Sequence, residues 1–204
     1  MRISLIILSF TLLIGVAYNQ SSFAVDSGLP ATVANTGAAE PITQDPDRLE
    51  RQKQLPAIVA TFRKHTSPER AHKLAYLCYE TTIGTPFKPI DLAEIALAET
   101  GGHRLSNRAV STEGALGVWQ LMPQRAISHG YSPAEMKQDE KCATAAVKEL
   151  KEKLKRADGN MNLAKRLYCG TGSQAQAYVI KTRMYRRQIL TKMASLEAQA
   201  AKGV

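Results

Sequence analysis

The sequence has few cysteines, few aromatic residues and no metal-ligand spacing. Its three cysteines are scattered along 204 residues, at Cys78, Cys142 and Cys169. At most one internal disulfide can therefore form, which leaves one thiol over. The four histidines, at positions 65, 72, 103 and 129, make no ligand cluster with them. This pattern argues against a zinc protein, and neither a metal nor an organic cofactor is expected; a Cys142–Cys169 bridge is left open.

Long apolar runs are also scarce, since the one clear example lies at residues 3–17, directly after Arg2. Ser22 and Ala24 then place small residues where a signal peptidase cuts, which predicts a signal peptide over residues 1–24. The alternative is an uncleaved membrane anchor, but the run is shorter than the roughly 20 residues that a spanning helix needs. We expect a periplasmic or secreted protein with no stable membrane span after cleavage.

The formal net charge of +9 predicts attraction to polyanions such as the cell-wall polymer or an anionic membrane surface. Nucleic acid is the competing partner. The basic residues lie mostly on helix-like stretches with acids between them, as in residues 148–153, where pairs four apart favour a solvated helix face. Nucleic acid is therefore not an expected partner; a nucleic-acid binder would show a steep salt dependence.

The order of Pro, Gly and apolar residues divides the chain into a leader, a spacer and a helical domain. Residues 25–46 contain three prolines, two glycines and no aromatic residue, which is typical of a flexible linker. From Asp47 to residue 204 nearly every segment has the helical period. Helix starts are predicted at Asp47, at Ser67-Pro68, at Asp91, at Ser132-Pro133, at Asp139, at Asn160 or Asn162, and at Ala175, the last helix running to about Leu196.

A carboxyl group at Glu99 ends the apolar stretch Ile95–Ala98, just before Gly101-Gly102. Partial desolvation at such a helix end disfavours the charged form and raises the pKa of the carboxyl. The negative end of the helix dipole acts in the same direction. A proton donor is one interpretation, but a surface glutamate is the commoner occurrence, so Glu99 alone decides nothing.

A glycine-rich segment, residues 111–123, supplies groups suited to a sugar polymer. Gly117 marks a turn where backbone can approach a ligand closely. Trp119 offers an apolar face to a sugar ring, while Gln120 and Ser111 offer hydrogen-bonding groups. The alternative is a glycine turn that feeds a helix and buries Trp119 in the core, and for Trp119 the two interpretations weigh equally.

Three motifs in order resemble the soluble lytic transglycosylase family. They are Glu99-Thr100, then Ser111 to Pro123 with its Gly114-Ala115-x-Gly117-Val118-Trp119-Gln120 centre, then Leu167-Tyr168-Cys169-Gly170. The resemblance covers roughly residues 88–185. It implies a mainly α, lysozyme-like domain that cleaves the β-1,4 bond between N-acetylmuramic acid and N-acetylglucosamine in peptidoglycan. It also implies a 1,6-anhydro product, formed when the sugar's own C6 hydroxyl attacks.

The resemblance assigns roles to seven residues. Glu99 matches the catalytic acid and base, and Thr100 keeps a hydroxyl where the family has Ser. Ser111, Gly117 and Gln120 match residues that line the substrate cleft, and Tyr168 matches a Tyr whose hydroxyl lies near the catalytic carboxyl. Trp119 stands where the family has Met, a departure that is compatible with sugar stacking, and it is counted with the substrate-binding residues. The pair Tyr178-Val179 resembles a structural Tyr-Val. Two further departures are Cys169 in place of Asn and a longer Glu99–Ser111 segment, in which His103 or Arg104 could reach the substrate.

The sequence is also compatible with other mechanisms and functions. Ordinary glycosidases use two carboxylates, yet the only acid inside the central motif is Glu113, which we interpret as exposed. One alternative is a hydrolytic lysozyme or chitinase on the same fold; another is a catalytically weak peptidoglycan-binding scaffold of an envelope-spanning machine. The resemblance also implies specialised members that open the wall locally for secretion, conjugation or pilus assembly.

Overall fold

The computed structural model describes residues 46–170 and 172–203; the predicted signal peptide and spacer lie outside them apart from Pro46. The described part is helical, which confirms the predicted class, and its only extended pairings are isolated bridges of Leu116 with Val110 and with Leu121. Short 3₁₀ helices occupy Gly101–His103 and Pro133–Lys137. The α-helices are α1 Pro46–Phe62, α2 Pro68–Thr82, α3 Pro89–Thr100, α4 Pro123–Ser128, α5 Asp139–Arg156, α6 Met161–Cys169 and α7 Gln174–Lys202.

The predicted starts of α2 and α6 agree with the structure, whereas α3 starts earlier than predicted. Ser67 accepts a hydrogen bond from the backbone N–H of Arg70 (3.4 Å), and Asn160 accepts one from Leu163 (3.1 Å). Helix α3 starts two residues before the predicted cap at Asp91, because Pro89 is tolerated in the first turn. Asp91 instead accepts from the N–H of Lys88 (2.8 Å), which closes the first turn from inside the helix.

Helix α3 is the centre of the domain. It packs against α1, α2 and α7, and every residue of the helix is buried except Glu99, which is partly exposed. A helix that is buried on all sides is typical of a core. The partly exposed Glu99 in its last turn marks where the core gives way to solvent.

Helix α7 runs antiparallel to α3 and begins beside the Glu99 end. The Lys181 ammonium donates to the Ala98 carbonyl, while Arg186, further along α7, reaches back to Asp91 and Glu94. The helix ends six residues later than predicted. Its last turns are exposed and have no apolar period, so the sequence pattern did not indicate them. Neither this 29-residue helix nor any other described helix is long and apolar enough to cross a membrane.

Candidate active site

Glu99 lies in the last turn of α3 with most of its carboxyl removed from water. Burial is the largest influence and raises the pKa of Glu99 to about 7, against an ordinary value of 4.5. Hydrogen bonding from Tyr178 and the charge of Lys181 both lower this pKa without cancelling the effect of burial. Roughly half of the molecules therefore carry the protonated acid near neutral pH, and the expected desolvation of Glu99 is present.

The Tyr178 hydroxyl lies against this carboxyl, a contact that the sequence did not indicate. Burial and the Glu99 charge raise the pKa of Tyr178 far above its ordinary value. The hydroxyl is buried, and among the described residues no atom meets it with full hydrogen-bond geometry. A buried hydroxyl without a complete hydrogen bond is uncommon, and the Glu99 carboxyl is the acceptor that this hydroxyl faces.

The side chain of Tyr168 is directed toward the same region but bonds elsewhere. Its hydroxyl donates to the Trp119 carbonyl oxygen at 2.9 Å. Burial, followed by the charge of Glu99, raises the pKa of Tyr168 well above its ordinary value. Tyr168 is thus close enough to be influenced by the charge of Glu99, and it also fixes the backbone of the glycine-rich segment.

Thr100 is buried and tied to backbone. Its Oγ1 lies 2.8 Å from the Val118 carbonyl oxygen and 3.2 Å from the Ala96 carbonyl oxygen, and the residue has no exposed surface. A direct contact between Thr100 and a substrate is therefore not available in this structure. The hydroxyl instead fastens the end of α3 to the segment that carries Gln120.

Trp119 belongs to the core. The residue is 0% exposed, and its Nε1–H donates to the Leu92 carbonyl oxygen at 3.0 Å. An indole enclosed in this way has no free face, so the interpretation of Trp119 as a sugar-stacking surface is corrected. Its equally weighted alternative, a core residue after a glycine turn, is the one that the structure shows.

Gly117 is required by packing. Its φ is +75°, and a Cβ at this position would lie 2.3 Å from the Met136 carbonyl oxygen and 2.8 Å from the Cys142 sulfur. The close approach expected at Gly117 is therefore made to this protein's own chain. The residue shapes the turn and is buried, so its placement in the cleft lining is corrected as well.

Gln120 and Ser111 keep polar groups at the partly exposed edge of the segment. The Gln120 amide nitrogen donates to Gly117 (2.7 Å) and Ala109 (3.3 Å), which holds the side chain and leaves its amide oxygen able to accept. The Ser111 hydroxyl accepts from the N–H of Ala115 at 3.0 Å and can still donate its hydrogen. These two remain suitable substrate-binding groups.

Cys169 stands beside Glu99 and Lys181. Burial, then the Glu99 charge, raises the pKa of the thiol, while Lys181 lowers it. Cys169 is the exposed member of the three cysteines, and none of them is bridged; Cys78 and Cys142 are buried in the core. The question of a Cys142–Cys169 disulfide is thus answered: this structure has none.

The segment that follows Glu99, which is longer than in the family, is held to the core by Leu105. Leu105 is fully buried although its φ is +52°, and it follows Arg104, whose φ is +58°. Non-glycine residues adopt this left-handed conformation at a cost, which burial of the leucine offsets. His103 and Arg104 are exposed, and no described contact joins them to Glu99.

Among the described residues, no second carboxylate perturbs the Glu99 pKa. Glu113 is exposed, as expected. Within residues 46–170 and 172–203, the groups that perturb the Glu99 pKa are a tyrosine and a lysine, and neither is an acid. The site so far is a lone, desolvated carboxyl with a donor and a cation from α7.

One group elsewhere has metal-ligand spacing: His129, Glu149 and Glu152, whose ligand atoms lie within 4.8 Å of one another. Arg125 and Lys153 already pair with these carboxylates. Two cations in the same place oppose a metal ion electrostatically. The group is better explained as an ion-pair network between α4 and α5.

A mainly helical domain with a buried acid at the end of its central helix is consistent with the lysozyme-like class. Residues 89–187 match the family described as Transglycosylase SLT domain, and this part of the chain belongs to that lytic transglycosylase family. Membership supports a lytic transglycosylase-like function in general, with peptidoglycan as substrate and a periplasmic or extracellular site of action. No curated protein matches the chain in sequence.

Proposed function

We propose that this protein is a peptidoglycan lytic transglycosylase in which Glu99 acts first as acid and then as base. The observation that carries the proposal is a single, largely buried carboxyl at the end of α3 with a pKa of about 7, which no other described acid perturbs. A general acid works best when its pKa lies near the working pH. Hydrolysis by two carboxylates would need a partner acid on the opposite side of the bond.

In the first half of the reaction, Glu99 gives its proton to the glycosidic oxygen while the bond from that oxygen to C1 of N-acetylmuramic acid breaks. In the second half, the C6 hydroxyl oxygen of the same sugar bonds to C1, and the Glu99 carboxylate takes the hydroxyl proton. The proton count is restored and no water is consumed. The product carries a 1,6-anhydro end.

The neighbours of Glu99 suit both halves. Burial favours the protonated carboxyl that the first half needs, whereas Tyr178 and Lys181 favour the carboxylate that the second half uses. Gln120 and Ser111 offer hydrogen bonds to the sugar from the glycine-rich segment. Tyr168 and Thr100 act indirectly, since their hydroxyls hold the backbone of that segment.

The test is digestion of purified peptidoglycan by the wild type and by Glu99→Gln, followed by mass analysis of the fragments. We expect anhydro-ended fragments from the wild type and a loss of at least a hundred-fold in the variant, roughly the contribution of one general acid. Reducing ends would instead identify a hydrolase. Binding without turnover in both proteins would identify a peptidoglycan-binding scaffold.

We further propose that the enzyme acts outside the cytoplasm after removal of residues 1–24, and that it opens the wall for an envelope-spanning secretion, conjugation or pilus apparatus. The predicted leader and the peptidoglycan substrate support the first part, and the resemblance to specialised family members that open the wall locally supports the second. N-terminal sequencing of the exported protein tests cleavage after Ala24. Deletion of the gene tests the role in wall opening, because assembly of the apparatus should then fail.

A further inference from the structure

Glu94 is a fully buried carboxylate on α3, five residues before Glu99. It pairs with the Lys165 ammonium of α6 and with the Arg186 guanidinium of α7, whose Nε lies 2.8 Å from Glu94 Oε2. Arg186 also pairs with Asp91, one turn earlier on α3. Burying these charges is costly unless each has a partner of opposite charge. The four side chains, Asp91, Glu94, Lys165 and Arg186, provide such partners for one another, and we call them the Glu94 cluster.

The Glu94 cluster joins the three helices that build the site around Glu99. Helix α6 carries Lys165 one turn before Tyr168, and α7 carries Arg186 two turns after Tyr178. Each helix thus contributes one residue to the cluster and another to the site, the pairs being Glu94 with Glu99, Lys165 with Tyr168, and Arg186 with Tyr178. The cluster therefore fixes the relative placement of the three helices close to the site.

The neutrality of the cluster matters for Glu99, whose pKa is perturbed by Tyr178 and Lys181 and by no member of the cluster. Two acids and two bases leave it formally neutral, and Glu94 lies only about 7.5 Å from Glu99 along the helix axis. At this distance, inside protein, an uncompensated unit charge shifts a neighbouring acid measurably. The other groups that face Glu99 are Tyr178 and Lys181 from α7 and Tyr168 and Cys169 from α6.

We propose that Glu94 is a positioning residue of this active site: it aligns α3, α6 and α7 and keeps the ion cluster behind Glu99 electrically neutral. The proposal rests on the proposed role of Glu99 as the acid. A merely structural ion pair would affect stability alone. The Glu94 cluster should in addition set the pH at which the enzyme loses activity, with opposite signs for its acids and its bases.

The experiment compares Glu94→Gln and Lys165→Met in the full chain. Glu94→Gln leaves an excess cation, which favours ionised Glu99, so the alkaline limb of the kcat/KM profile should move to lower pH by roughly half a unit. Lys165→Met leaves an excess anion and should move the limb to higher pH. Both should lower kcat about ten-fold, as expected for a displaced catalytic group, while Glu94→Asp keeps the charge and should leave the limb in place.

The matched control is Asp139→Asn, which breaks a buried ion pair to Arg70 (3.0 and 3.1 Å) between α2 and α5. It should lower Tm without moving the limb. The proposal is overturned if the alkaline limb of the kcat/KM profile stays at the wild-type pH in both cluster variants. It is also overturned if the limb moves in the same direction in both. If Glu94→Gln does not fold, the sign of the Lys165→Met shift decides.

The outcome is separable from the proposed function. Carbon-13 NMR titration of the Glu99 carboxyl should show the same two opposite shifts without any turnover. A wild type that cleaves no peptidoglycan refutes the proposed function, yet opposite NMR shifts would still support the electrostatic role of the Glu94 cluster. Unshifted titrations refute that role even if the wild type is fully active.

Discussion

The Tyr178 hydroxyl on α7 is buried against the Glu99 carboxyl on α3, and each group perturbs the pKa of the other. Hydrogen bonding from Tyr178 lowers the Glu99 pKa, while the Glu99 charge raises that of Tyr178. This pair joins the first turns of α7 to the last turn of α3. It brings a proton donor to the partly exposed end of the central helix.

Tyr178→Phe should therefore raise the Glu99 pKa, because the carboxylate loses a stabilising donor while burial is unchanged. The alkaline limb of the kcat/KM profile should move above the wild-type position near pH 7. Above pH 7 stability should fall by roughly 1 kcal/mol, because the buried carboxylate loses a hydrogen-bond donor, and at pH 4 it should change little. Tyr185→Phe, which changes another buried tyrosine of α7, is the control, and an equal shift there would contradict the prediction.

Glu99→Gln should stabilise the protein in a pH-dependent way. The pKa of Glu99 rises on folding from 4.5 to about 7, so the folded state binds more protons between these values and loses stability as pH increases. The destabilisation caused by the buried Glu99 charge is complete above pH 7 and absent below pH 4.5. The variant should gain roughly 2 to 3 kcal/mol at pH 8 and nothing at pH 4. Denaturant melts at both pH values measure this, and an equal gain at the two would refute the burial argument.

Much of the fold could be predicted because its signals are local. Proline and cap residues indicated α2 and α6, and the apolar period of α5 gave its bounds at Asp139 and Arg156. The start of α3 was placed too late, because the carboxyl of Asp91 satisfies the first turn from within the helix. The end of α7 was placed too early, because its exposed last turns have no pattern.

The site was predictable only where a residue type implies its chemistry. Glu99 stood out as a carboxyl in an apolar stretch, whereas Tyr178 had the same spacing as a core residue. Only the crossing of α7 over α3 shows that its hydroxyl faces Glu99. Trp119 carried no signal that distinguishes a core indole from a sugar-stacking one, because the deciding fact is a hydrogen bond to Leu92, 27 residues earlier.

Gly117→Ala should be strongly destabilising. The new Cβ would meet the Met136 carbonyl oxygen at 2.3 Å, and alanine would also have to adopt a φ of +75°. The combined cost should exceed roughly 3 kcal/mol and reduce activity by displacing Gln120. Gly114→Ala is the matched control: its φ is +83°, but nothing lies within 4 Å of the new Cβ. It should lose only roughly 1 to 2 kcal/mol, and equal losses would exclude the steric explanation.

Cys169 should be the one thiol that reagents reach in the folded protein. It is exposed, whereas burial encloses Cys78 and Cys142 and raises the pKa of the latter to about 12. Since the thiolate is the reactive form and the pKa of Cys169 is itself raised, modification by iodoacetamide should be slow at pH 7 and faster at pH 9. Modification should abolish peptidoglycan cleavage, because the adduct stands beside Glu99. Cys169→Ser should resist inactivation, and loss of activity in that variant would mean that another residue had reacted.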